Sequence, residues 1–154
     1  MKQDSGHYYV CDHFVIQEFV PEIIYLYRGE KAWQLIDHHL LENYDSLREQ
    51  LGTPVRLNNW HQKGGTKQWQ GLRLPAAPDY RLTSQHSYAR AGDSSADGIS
   101  AEEIRTRIQD REIILPHPCT IEVGVPWLHM DTRQSTDLIT FVDTEKVVWR
   151  YSSD

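Results

Sequence analysis

The sequence predicts an α+β domain in which a small antiparallel sheet carries helices on one face. Apolar residues recur at helical spacing between Glu30 and Leu51. Further on, short apolar segments separated by prolines read as extended pieces, and the last two flank a turn. At 154 residues the chain fits one domain, 1–154, long enough to bury most of its apolar surface.

Taken in order, residues 1–12 read as a loose arm or a first short strand. The segment HFVIQEFVPEIIYLY, from His13, is interrupted by Pro21 and predicts a short helix followed by an extended piece. Glu30 to Leu51 is the clearest helix: Trp33, Ile36, Leu40, Tyr44, Leu47 and Leu51 form one stripe, and Gly52 and Pro54 end it. Pro54 to Trp60 predicts a strand, followed by the loop HQKGGTKQWQG. Leu72 to Thr83, with Pro75 and Pro78, predicts a crossing without regular structure. Ser100 and Glu103 have capping-box spacing ahead of a helix with Ile104 and Ile108 on one face. Glu112 to Leu115, Thr120 to Val125 and Trp127 to Thr132 predict extended segments. Leu138 to Val142 and Lys146 to Tyr151 flank Asp143-Thr144-Glu145 as a terminal hairpin.

Composition removes several classes of function. A formal net charge of −6, with Arg105 to Arg111 interleaved with acids, argues against nucleic acid as a partner. No stretch approaches the roughly 20 apolar residues of a membrane span, and the polar N-terminus MKQDSGHYYVCDHF lacks the apolar core of a secretory leader. Synthesis in the cytoplasm is therefore expected. Cys11 and Cys119 make no disulfide scaffold, and the reduced state is the default. Eight histidines are many for this length, and their positions carry the argument. His38 and His39 are adjacent on the long helix, point in different directions and read as structural or solvent-facing.

In SQHSYARAGD, residues 84–93, a histidine and an aspartate separated by small residues can turn toward one point. In PWLHMDTR, residues 126–133, strand alternation puts His129, Asp131 and Arg133 on one face and Leu128 and Met130 on the other. Two imidazoles and one carboxylate, His86, His129 and Asp93, leave a fourth tetrahedral position for water, as in catalytic zinc sites. Zinc lowers the pKa of such a water to about 7.

SQHSYARAGD resembles the S-x-H-x-x-G-x-A-x-D signature of the zinc D-Ala-D-Ala carboxypeptidase and dipeptidase family, which includes phage endolysins. Ser84, His86, Ala91 and Asp93 fall on the pattern, and Ala89 replaces its glycine. PWLHMDTR is similar to that family's second metal motif. The likeness runs from His13 to about Tyr151. It implies the hedgehog/DD-peptidase fold with a zinc cleft, one Zn2+ per chain on His86, Asp93 and His129, and a peptidoglycan stem peptide as partner. It also implies a phage or bacterial origin, with phage release or a place in the virion as routes to the cell wall.

Two departures bear on the reaction. The family's general base, a glutamate three residues before the last histidine, is here Pro126. Asp131, on the same strand face as His129, is the first substitute, or else a partner that orients His129. Glu122 is the second; simple alternation puts it on the opposite face unless Pro126 introduces a bulge. The family's Gly-Tyr-Arg turn is here Asn58-Asn59-Trp60, so Arg73 or Arg133 is expected to supply the guanidinium for substrate. Ser84, Trp60 and His61 complete the expected substrate-contacting set. Two functions follow. One is a zinc-dependent peptidase or amidase acting on peptidoglycan stem peptides. The alternative is a zinc-binding structural or binding module without turnover, such as a virion component.

Overall fold

The structure, a computed structural model, describes residues 2–4 and 8–152. The expected arm is a small antiparallel ladder of β1 (Lys2–Asp4) on β2 (Tyr8–Val10). A 3-10 turn at Ile16–Glu18 follows. Beyond Pro21 the chain is not extended, as expected from sequence, but helical: α1 spans Glu22–Arg28. Proline suits a helix entrance because no backbone partner is needed there.

The long helix also begins later than periodicity suggests. Gly29–Leu35 is a 3-10 segment, and α2 spans His38–Leu51. Asp37 sets that start: its Oδ2 accepts the Leu40 N–H at 3.2 Å, a cap the apolar stripe alone cannot reveal. The stripe itself survives the break, with Trp33, Ile36, Leu40, Tyr44 and Leu47 buried and Leu51 half-buried. Each fully buried leucine contributes about 1.5–3 kcal/mol. Gly52, at φ 68°, closes the helix in the left-handed conformation that glycine adopts without strain.

The sheet is formed by β3 (Val55–Arg56), β4 (Ala91–Ala96), β5 (Cys119–Glu122), β6 (Leu128–Asp131), β7 (Ile139–Asp143) and β8 (Lys146–Tyr151), with α3 (Ala101–Gln109) between β4 and β5. Its order is β3-β4-β6-β5-β7-β8. The pairings are antiparallel except β5 with β7, which run parallel, so the sheet is mixed where pure antiparallel pairing was expected. The expected strand from Pro54 stops at Arg56 because the Asn58 N–H turns away to the Glu18 carbonyl. Glu112 to Leu115, expected to be extended, is a bend followed by irregular backbone. The second metal-motif strand and the terminal hairpin lie where predicted. Thr144 and Glu145 both have positive φ, which matches the twist of a two-residue hairpin turn. Ser100 caps α3, accepting the Glu103 N–H at 3.1 Å, while the Glu103 carboxylate pairs forward with Arg107.

Register separates the two faces of the sheet, since directly paired residues share one. Gly92, Met130, Ile121 and Phe141 lie across one row and face α2. A Cβ on Gly92 would stand 2.5 Å from the Tyr44 hydroxyl and 2.8 Å from its ring. Phe14, Phe19 and Tyr44 pack edge to face at 5.5–5.7 Å between centroids, sealing this side. The other face carries Asp93, His129 and Glu122 in one row and Ala91, Asp131, Thr120 and Thr140 in the next.

Two outcomes are expected. Gly92→Ala overpacks Tyr44 and lowers stability by about 1–3 kcal/mol; an unchanged urea midpoint contradicts this contact. Burial pushes the Glu18 carboxyl up from 4.5 to about 7, against the opposing pull of the Val15 and Leu57 amides and Arg56. A group that holds its proton more tightly when folded stabilises fully below its unfolded value and loses that contribution as pH rises through the folded one. The stability of the native chain relative to Glu18→Gln should therefore fall between pH 4.5 and about 7, and a constant difference would be the contrary result.

Candidate metal centre

Ser84 starts the site. Its Oγ accepts the His86 N–H at 3.2 Å and caps the 3-10 turn Gln85–Tyr88, which presents the buried His86 ring. The turn ends at Ala89, with φ 57° and ψ 33°. This is the position at which the motif has glycine, and a left-handed backbone costs a non-glycine residue roughly 1–2 kcal/mol. From there the chain enters β4, whose alternation places Asp93 on the polar face.

The loop that ends at Gly71 and the start of the crossing from Leu72, both predicted without regular structure, hold this turn in place. The Asp93 N–H donates to Gln70 O at 2.7 Å, and the Arg73 N–H donates to His86 O at 3.1 Å. Gly71 O lies 2.8 Å from His86 Nδ1. A carbonyl only accepts, so Nδ1 carries a proton and Nε2 is the ring nitrogen turned toward Asp93. Gly71 has no room for a side chain, because a Cβ there would meet the Phe19 carbonyl oxygen at 2.4 Å.

Ligating atoms of His86, Asp93 and His129 all lie within 4.8 Å of one another. Asp93 Oδ1 is 2.9 Å from His129 Nδ1, and Asp93 Oδ2 is 3.3 Å from His86 Nε2. His86 Nε2 therefore faces a carboxylate oxygen, the placement from which both atoms can reach one cation. Bonds of about 2.0–2.2 Å to a tetrahedral ion imply ligand separations of about 3.3–3.6 Å, a few tenths of an ångström from the two Asp93 contacts. His129 Nε2 is 2.9 Å from Asp131 Oδ2. This leaves Nδ1 as the ligating nitrogen, with its ring oriented from behind.

Charge is tightly matched here. Burial pushes the Asp93 carboxyl up, yet the His129 and His86 rings hold it well below the usual carboxylate range. Burial alone would lower the His129 pKa, but Asp131 and Asp93 raise it to about 9. Asp131 is 0% exposed. Burial pushes its carboxyl up, but Arg133 and His129 together hold it below its ordinary value. The Arg133 guanidinium reaches it twice, at 2.7 and 2.6 Å.

Glu122 corrects the alternation argument. It belongs to β5, not to the strand of His129, and the β5–β6 register pairs the two directly. Phase counted through the intervening turn therefore has no bearing, and Glu122 stands beside His129 on the polar face. Pro126 lies exposed in that turn. Two lobes of a cleft meet at these residues. One, of about 340 Å3, is lined by Arg73, Arg81, Ser84, His86, Glu122 and Trp127, among others. The other, of about 240 Å3, adds Arg133, Thr144 and Glu145.

The remaining expected residues divide. Arg73 is in the cleft but already engaged, donating to Asp93 Oδ2 and Trp69 O, both at 2.8 Å. Arg133 lines the second lobe. Trp60 and His61 line neither lobe. The Trp60 indole N–H is shared between Gln17 O and Val20 O at 3.0 and 2.9 Å, which makes it a brace for the N-terminal segment. His61 packs against Trp60 and lines a separate groove near Cys11 and Arg48. His38 and His39 are exposed and touch edge to face. Cys11 and Cys119 are buried and unpaired, and burial raises both thiols. Sequence reading missed Gly71, whose signal is only one glycine in QGLR, and Arg81, which lies in a stretch with no pattern. Comparison with protein-family models, curated proteins and solved structures finds no match to this chain. Among the described residues no helix is long and apolar enough to cross a membrane.

If these three side chains hold a divalent ion, saturating Zn2+ raises the melting temperature, by an amount equivalent to about 2.7 kcal/mol at a hundredfold excess over Kd. His86→Ala removes that rise. Gly71→Ala keeps the carbonyl but drives a Cβ into the Phe19 backbone, displacing the group that orients His86 and weakening binding about 10–100-fold. An undiminished Zn2+-dependent shift in His86→Ala would refute the assignment.

Proposed function

We propose that this chain is a zinc-dependent peptidase or amidase acting on peptidoglycan stem peptides. The observation that carries the reading is the row Asp93–His129–Glu122: a carboxylate with no hydrogen-bond partner among the described residues stands beside a convergent His-Asp-His set in an open cleft. The motif likeness supplies the substrate class. Bound zinc supplies a Lewis acid and a water acidified to about 7 at its open position.

The protein's own groups then have distinct tasks. Glu122 is the general base, taking a proton from the attacking water and delivering it to the leaving amine nitrogen. Asp131 does not serve in that role, because it is fully buried and its oxygens are engaged by His129 and Arg133; it positions the His129 ring. Arg73 holds Asp93. Arg81 lines both lobes, and among the described residues its guanidinium has no hydrogen-bond or ion-pair partner. It is the group left to clamp a substrate carboxylate in two hydrogen bonds.

Stem peptides ending in D-Ala-D-Ala and cross-linked muropeptides, incubated with the zinc-loaded chain, test the reading. Cleavage is expected, with Glu122→Gln losing about 10²–10⁴-fold in kcat while retaining its zinc. Arg81→Ala should raise KM roughly 10–100-fold for peptides with a free carboxylate, in line with one charged hydrogen-bonding pair. One zinc per chain with no cleavage of either substrate would sink the enzyme and leave a zinc-binding module.

A further inference from the structure

Beside the His-Asp-His cluster, where β3 ends and the chain turns off at Leu57, the sheet edge opens into a second cavity of about 210 Å3. That is below the roughly 300–1,000 Å3 of sites for whole drug-sized ligands, so it suits one ring or one side chain. It is not a separate site. Asp93 and Trp127 line both this cavity and the metal lobe.

Its charges are largely matched among themselves. Arg56 is held by Asp97 through two bonds of 3.2 and 2.9 Å, and Asp93 is held by Arg73 and the two histidines. Glu18 and Lys67 oppose each other in sign. The Asn58 amide is spent on Gln17 O, Val20 O and the Gln70 N–H. What remains is neutral. Among the described residues the side-chain amides of Gln62 and Gln70, the Asn59 Nδ2 and the Ser95 hydroxyl have no protein partner. Ser94, also in the lining, is 3% exposed; its Oγ approaches the Tyr44 hydroxyl without a hydrogen bond of normal geometry.

One wall is apolar. Trp127 is 42% exposed at the rim, and among the described residues its indole N–H has no partner. Its π face attracts weakly positive C–H groups. The combination selects among occupants. A cationic side chain needs net negative charge, which the matched lining lacks, and a wholly apolar one leaves the amides opposite Trp127 unpaired. A pyranose has a C–H face to lie on an indole and a polar rim for amides and hydroxyls. An acetamido substituent adds one N–H and one C=O to pair with side-chain amides.

We propose that this cavity is a saccharide subsite that takes one N-acetylhexosamine ring, stacked on Trp127 and bonded by Gln62, Gln70 and Asn59. The identity of the sugar rests on the peptidoglycan reading. The subsite would place the glycan on the β3 side of the metal while the attached peptide crosses the cleft toward Arg81.

Titration of the zinc-loaded full chain with N-acetylglucosamine and chitotriose, followed by tryptophan fluorescence and calorimetry, is the test. Saturable binding with a change in emission is expected, weakened at least tenfold in Trp127→Ala and in Gln62→Ala, with glucose binding more weakly than N-acetylglucosamine. Gln62 is exposed, so its variant keeps the test valid if Trp127→Ala folds poorly. No saturable binding of either sugar, or equal binding by Gln62→Ala, overturns the subsite; equal binding of glucose overturns the acetamido assignment. A chain that cleaves stem peptide but ignores both sugars leaves the peptidase standing without the subsite. Sugar binding without zinc or cleavage does the reverse.

Discussion

A single buried carboxylate organises this protein's polar face. Asp93 is 7% exposed and accepts from Arg73 while lying against His86 and His129. Removing a carboxylate from water is costly unless cations or strong donors replace the solvent. Each replacement here comes from a different part of the chain. Arg73 comes from the crossing loop, His86 from the 3-10 turn, and His129 from β6. The position of each depends on the others being in place, and the Asp93 backbone ties in the loop again through Gln70.

The sheet converts that local arrangement into an asymmetric site. Because paired residues share a face, Asp93, His129 and Glu122 come from three neighbouring strands into one line. Behind them α2 presses Tyr44 onto Gly92, so the strands that carry this row are backed by close packing. Asp37 joins the two layers. It caps α2, donates its N–H to Ala89 O at 2.9 Å, and accepts from the Thr132 hydroxyl at 2.5 Å. The helix start, the end of the metal turn and the end of β6 thus share one residue. Cys119 faces the packed side with Ile121, away from the ligands.

Much of this was legible in the sequence, for identifiable reasons. The alternation in LHMD told polar from core positions because a strand has a strict period of two. The motif spacing grouped His86 with Asp93, and capping chemistry found α3. What failed were inferences that needed a second segment. The start of α2 depends on Asp37 as a cap, which hydrophobic spacing does not register. The side on which Glu122 lies depends on which strand pairs with which, and counting along the chain treated two strands as one. Trp60 and His61 were grouped with the cleft by sequence proximity to a motif, whereas the indole N–H is drawn to carbonyls of the N-terminal segment. Gly71 and Arg81 act through contacts distant in sequence and left no local signal.

X-ray absorption at the zinc edge, on the chain loaded with one equivalent of Zn2+, tests the central claim most directly. The account predicts a shell of nitrogen and oxygen at about 2.0–2.2 Å, with the outer-shell pattern of two imidazoles and no sulfur. His129→Ala should reduce that pattern to one imidazole. A sulfur ligand, or a spectrum unchanged in His129→Ala, would contradict it.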